Sequence, residues 1–142
     1  MSIERNKRIV RRVYDELING EDKAVVDEIY AQDVIIHDPF MGTVQGREAF
    51  HQLLGMFDAG FPHHRVTVDA MTAEDDLVCV LHTHHATHAG SFMGVPPTHK
   101  SIEVSGIELI RVKDGKITEF WRKDDDVSLL MQLGVLPEPQ PA

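Results

Sequence analysis

The spacing of apolar positions changes once along the chain, from a helical period to a period of two, and the change falls near residue 60. Before it, Ile9, Val10, Val13, Tyr14, Leu17 and Ile18 recur at helical spacing. Asn19-Gly20 supplies the residue type that closes a helix in the left-handed region, so a helix is predicted over 3–18. A shorter helix follows, with Asp22 as its expected N-cap and Val25, Val26, Ile29 and Tyr30 on its buried side. Val34-Ile35-Ile36-His37 is β-branched and brief, and Asp38-Pro39 ends it, which predicts a short strand running into a turn. Gly46 precedes a third helix carrying Phe50, Leu53, Leu54 and Phe57 at core spacing and ending near Gly60 and Pro62.

Beyond this point Val66, Val68 and Ala70 alternate with Arg65, Thr67 and Asp69, the pattern of a half-buried strand. Three more strands are predicted at about 77–88, 100–113 and 116–122, the last two joined by the hairpin signal Lys113-Asp114-Gly115-Lys116. Asp126 is expected to cap a helix over 127–133 that Gly134 stops, and residues 136–142, with the run PEPQPA, read as a loose tail. Helices followed by a run of strands give an α+β fold class. The expected architecture is a curved antiparallel or mixed sheet wrapped around the N-terminal helices. It is one domain over 1–142, a cone whose open end leads to an internal pocket.

Composition narrows what that pocket can serve. Acids outnumber bases 23 to 14, and the resulting charge of −9 repels phosphate backbones, so nucleic acid is not an expected partner. No apolar stretch approaches bilayer length, so no membrane partner is expected either. Cys79 is the single cysteine and cannot form an internal disulfide. With a charged, amphipathic N-terminal segment, it points to a cytoplasmic setting.

Strand alternation also selects the candidate chemistry. Ile102, Val104, Gly106, Ile110 and Val112 share a face with Glu108, a carboxylate that burial would shift towards proton transfer near neutral pH. The alternative is that Ile107 and Leu109 are buried and Glu108 is wet. On the preceding strand His82, His84 and His88 share a parity with Val78 and Val80, so His82 and His84 are candidate proton carriers or a strand-borne metal pair. Further ligands for a metal would have to come from His37, Asp38 or Glu108. Arg122 is placed to pair with Glu108 across neighbouring strands, and Phe120 and Trp121 to wall a ligand. His37 and Asp38 stand at the end of the early strand, Tyr14 can donate to a developing oxyanion, and Asp125 can turn back towards the mouth. Lys123, Asp124 and Asp126 read as a solvated strand end, and His63-His64 as a loop pair without a catalytic role.

The segments GREAFHQLLGMFDAGFPHHRVTV, DDLVCVLHTHHATHAGSFMGVPPTHKSIEVSGIELIRVKDGKITEFW and LLMQLG resemble the SnoaL-like polyketide cyclase family of the nuclear transport factor two-like cone folds. The likeness runs from about Ile9 to Leu136. The resemblance implies a cone with an internal cavity, a homo-oligomer packed through the sheet, and cofactor-independent ring closure or hydroxylation. Aligned through Asp-Gly-Lys-Ile, the cyclases' acid/base aspartate falls at Arg122 and their pocket histidine at Glu108, so neither residue is kept here. The expectation is that Glu108 and Arg122 form a pocket ion pair, with His84 or His82 as its titrating partner.

The sequence thus predicts an enzyme without cofactor or metal that performs acid/base chemistry on a polyketide-like carbonyl compound, by cyclisation, isomerisation, hydration or hydroxylation. The alternatives are a ligand-binding module on the same fold, or a metal enzyme built on His37, His82, His84 and Glu108. Besides the small-molecule substrate, the expected partner is a second copy of the chain, since Leu81, Ile107 and Leu109 would leave an apolar patch on the outer sheet face.

Overall fold

Residues 2–139 are described by a computed structural model of the chain. Helix α1 (Ile3–Arg12) is capped by the Ser2 hydroxyl, which accepts from the Arg5 amide, and it passes into a π-helical stretch, Val13–Ile18. The wide turn is closed by the Asn19 N–H donating to the Tyr14 carbonyl at 3.0 Å. The end of this helix departs from expectation: the left-handed residue is Glu21 (φ 52°), not Gly20. Asn19 instead binds the next layer. Its side-chain amide donates to the Val66 carbonyl at 2.9 Å and its oxygen accepts from the Val66 N–H at 2.8 Å.

Helix α2 is only Val25–Ile29 and starts from Ala24. Asp22 holds the turn before it, accepting from the Ala24 N–H, and is not its N-cap. Tyr30, expected on that helix, instead begins strand β1 (Tyr30–Asp38), which is longer than predicted because it pairs in parallel with β6 (Lys116–Asp124). Nothing local announces such a distant pairing. The sequence also conceals β2 (Gly42–Gln45), a four-residue strand folded back on β1 ahead of helix α3 (Arg47–Gly60).

Strands β3 (Arg65–Glu74), β4 (Leu77–Thr87) and β5 (Ser101–Lys113) complete one six-stranded sheet of order β2-β1-β6-β5-β4-β3, curved but not closed. All neighbours are antiparallel except β1 and β6. The expected alternation fails within β3: Val68 faces His82 and Ala70 faces Leu81, so Asp69 is an inserted residue. The parity flips there, leaving Ala70 exposed and turning Met71 and Ala73 towards the core. The Asp114-Gly115 turn has both residues at positive φ, 50° and 77°, as its type requires. Helix α4 (Asp126–Gln132) is capped by Asp125, one residue earlier than predicted, and Gly134 ends it at φ 81°. Of the predicted tail, residues 140–142 lie outside the described residues.

The helices bury one face of the sheet. Val10, Val13, Leu17, Val25 and Val26 meet Val78, Val80, Ile110 and Val112 in the main core. A second cluster of Phe61, Phe92, Ile102, Val104, Leu129 and Leu133 closes the other end of β4 and β5. On the opposite face Leu81 and Ile107, partners in the ladder, remain 42% and 44% exposed. No described helix is long and apolar enough to cross a membrane.

Candidate active site

The even-numbered residues of β4 and β5 face the helices, and the ladder sets them in rows. Val80, Glu108 and Arg122 stand side by side across β4, β5 and β6, and His82, Gly106 and Asp124 form the next row. Gly106 is needed where it stands, because a Cβ there would overlap the Asp124 carboxylate. The room it leaves lets Asp124 lean over β5 until its Oδ1 lies 3.6 Å from His82 Nε2.

Arg122 stands opposite Glu108 but directs its donors elsewhere. Nε and Nη2 reach Asp38 Oδ1 at 3.0 and 2.9 Å, and Nη1 donates to the Asp124 carboxylate. The expected Glu108–Arg122 ion pair is therefore not formed: two other carboxylates occupy the fork. Glu108, 8% exposed, has Oε1 3.8 Å from His82 Nε2, too far for a hydrogen bond. The buried Tyr14 hydroxyl approaches Glu108 without making a well-formed bond.

These surroundings decide the charges. Burial pushes the Glu108 carboxyl up to about 8, with repulsion from Asp124 adding to it and Arg122 pulling the other way. Burial also raises Asp124 against the pull of Arg122. Burial works against the Arg122 charge as well, but Asp124, Asp38 and Glu108 outweigh it and keep the guanidinium protonated. Burial pushes His82 down to about 4 and His84 well below the imidazole range, with Arg122 adding to both. At neutral pH the site holds a neutral carboxyl and neutral imidazoles beside a fixed cation.

The cavity they border has about 870 Å³ of free space, its open mouth included. Phe40, Phe50, Phe57, Phe92 and Phe120 make most of its apolar wall, and Asp38, Arg122, Glu108, His84 and His64 make a polar strip among them. Met41, Met56 and Met93, each more than 40% exposed, surround the mouth.

Of the residues chosen from sequence, Glu108, Arg122, His84, Asp38 and Phe120 line this cavity. His82 and Tyr14 lie behind the wall, both 0% exposed, with their rings 5.8 Å apart. His37 and Trp121 are corrections. Neighbours on a strand point to opposite faces, so with Asp38, Phe120 and Arg122 turned inward these two must turn outward. There they stack at 4.9 Å, and His37 Nε2 meets Glu119 at 2.8 Å. The metal set that included His37 is thus split across the sheet. Asp125 is exposed and holds the Ser128 N–H at the start of α4, away from the cavity.

Two residues set aside in the sequence belong to the site. Asp124 is buried because β6 runs two residues further than predicted and keeps its parity to the end. His64 is 8% exposed and accompanies the polar strip, because His63 adopts φ 58° and sends the two neighbouring rings apart. Loop residues have no periodicity from which this could be read.

The SnoaL-like polyketide cyclase model matches residues 8–133. The chain belongs to that family. Solved structures agree with this SnoaL-like assignment. A protein from Jannaschia sp. CCS1 assigned as a SnoaL-like polyketide cyclase is 25% identical with TM-score 0.89, over 96% of this chain and 97% of that one. AclR of Streptomyces galilaeus, assigned as a hydroxylase, is 27% identical with TM-score 0.85, over 98% of this chain and 87% of its own. IdmH of Streptomyces antibioticus, assigned as a polyketide cyclase, is 31% identical with TM-score 0.78, over 92% of this chain and 99% of its own. No curated protein matches the sequence. The SnoaL-like cone is thus common to proteins assigned to different reactions, and the side chains of this cavity must distinguish them.

The raised Glu108 carboxyl has a consequence for stability. Between the unfolded value, near 4.5, and about 8, the folded state holds a proton that the unfolded state has lost, so this residue lowers stability as pH rises through that window. Glu108→Gln removes the effect. The melting temperature of the variant relative to the unaltered protein is expected to be higher at pH 8.5 than at pH 5, as measured by calorimetry at both.

Proposed function

We propose that the protein is a cofactor-independent acid/base enzyme that closes a ring in a polyketide-like carbonyl compound. The observation that carries this reading is Glu108, a carboxyl without an ion-pair partner in the wall of an apolar cavity, beside a guanidinium fixed by two other acids. A carboxyl raised to about 8 is a far stronger base, once ionised, than one in water, and it is ionised often enough near neutral pH to act. It takes a proton from the carbon next to a ketone. The electron pair moves to the carbonyl oxygen, which Arg122 and its row stabilise as negative charge develops. The enolate carbon then attacks a second carbonyl in the same molecule, and the new alkoxide recovers the proton from Glu108.

The walls support a substrate class. Phenylalanines interleaved with a few polar groups suit a flat, largely apolar molecule that carries carbonyl oxygens. Asp38 and Asp124 act as positioning residues for Arg122. The same cavity as a binding module would need no proton acceptor of shifted basicity, which is why the catalytic reading is preferred.

We further place a second copy of the chain on the outer sheet face, where Leu81 and Ile107 are exposed beside Cys79 and Leu109. The double substitution Leu81→Glu, Ile107→Glu is expected to turn a dimer into a monomer in analytical ultracentrifugation, and a monomeric parent would contradict the placement. For the chemistry, an aryl β-keto ester carrying a second ketone is a suitable test substrate. Glu108→Gln is expected to lower kcat about 10²- to 10⁴-fold, and kcat/KM of the unaltered enzyme to rise with pH to a plateau above about 8. Arg122→Lys should reduce kcat more than it changes KM. An unchanged rate in Glu108→Gln would overturn the assignment.

A further inference from the structure

Three imidazoles run in file from Glu108 to the partly exposed Asp58, the first of them behind the cavity wall and the other two, His84 and His64, in it. His82 Nε2 lies 3.8 Å from Glu108 Oε1, the rings of His82 and His84 are 4.9 Å apart, and those of His84 and His64 are 5.8 Å apart. The last member reaches the surface: His64 Nε2 meets Asp58 Oδ1 at 2.9 Å, and Asp58 pairs with Lys23, both partly exposed. With Leu17, Ile18 and Leu54, His64 borders both the main cavity and a small outer recess that Glu21, Lys23 and Asp58 also line.

Packing alone does not account for this file. His64 Nδ1, His84 Nδ1 and both ring nitrogens of His82 are buried without a hydrogen-bond partner. Each such atom is a loss that an apolar side chain would avoid. Phe57 lies edge-on to His64 at 4.7 Å and tilted against His84 at 5.7 Å, shielding both rings with hydrocarbon. The other groups facing the file are the Tyr14 ring, Arg122 and Asp124 at its inner end. Neutral imidazole is the side chain that donates from one nitrogen and accepts at the other, so consecutive rings can pass a proton without holding a charge. At the outer end the ionised Asp58 accepts from Nε2–H, which leaves the inward Nδ1 of His64 as the acceptor.

From this geometry we infer that His82, His84 and His64 form a proton relay between Glu108 and solvent at Asp58, with each gap closed by a direct hydrogen bond or one water. The relay rests on the role proposed for Glu108 but has a readout of its own. In the outward direction Glu108 gives its proton to His82 while His82 releases one to His84. His84 passes one to His64, and His64 Nε2 delivers one to Asp58 and the solvent. Glu108 ends as the carboxylate, one proton has left, and every imidazole is again neutral as its other tautomer. The resting, protonated Glu108 can thereby be ionised for proton abstraction while substrate fills the mouth.

The test uses the full-length, ligand-free chain labelled with ¹⁵N-histidine, and measures solvent exchange of the ring N–H protons by NMR. His64→Phe blocks the file with a ring of similar size. Exchange at His82 and His84 is expected to slow about tenfold or more, because the protons must then await local opening. Exchange at His37 should be unchanged. Met93→Trp, which narrows the mouth, should leave His82 and His84 exchanging as before. Unchanged exchange in His64→Phe, or slowing in Met93→Trp, would overturn the relay by showing that protons enter through the mouth. Should His64→Phe not fold, Asp58→Asn decides in the same assay: slower exchange at His82 and His84 supports the relay, and an unchanged rate overturns it. These rates do not depend on turnover, so loss of the catalytic reading through Glu108→Gln would be seen separately.

Discussion

Three carboxylates converge on one guanidinium inside this cone, and the shortage of positive charge governs the rest. Arg122 bonds to Asp38 and Asp124, which leaves Glu108 without an ion-pair partner in a place where an unpaired charge is costly. The least expensive resolution is a proton kept on Glu108. A neutral carboxyl and neutral imidazoles then lie beside one fixed cation, and burial sets that balance.

The fold supplies this arrangement through backbone pairings more than through individual contacts. The β4–β5–β6 ladder sets Glu108 beside Arg122, and the parallel pairing of β1 with β6 carries Asp38 to the same end of the sheet. Gly106 makes the next row shallow enough for Asp124 and His82 to approach each other. The π-helical turn of Val13–Ile18 holds the Tyr14 ring against His82, a frequent use of such turns near functional sites.

Much of this could be read from the residues alone where a period extends over many positions. The even parity of β4 and β5 follows from alternation, and with it the inward direction of His82, His84 and Glu108. What alternation could not show was pairing at a distance. The parallel contact that lengthens β1, the inserted Asp69 in β3 and the full length of β6 depend on partners remote in sequence. These same features decided Asp124 against Asp125 and turned His37 and Trp121 outward. Loop residues fared worst, since His64 enters the wall only through the backbone angle of the residue before it.

The most direct measurement is the ¹³C NMR titration of the Glu108 side-chain carboxyl, assigned with Glu108→Gln. The account predicts a carboxyl still protonated at pH 6 and half-titrated near pH 8. A Glu108 already ionised at pH 5 would contradict it.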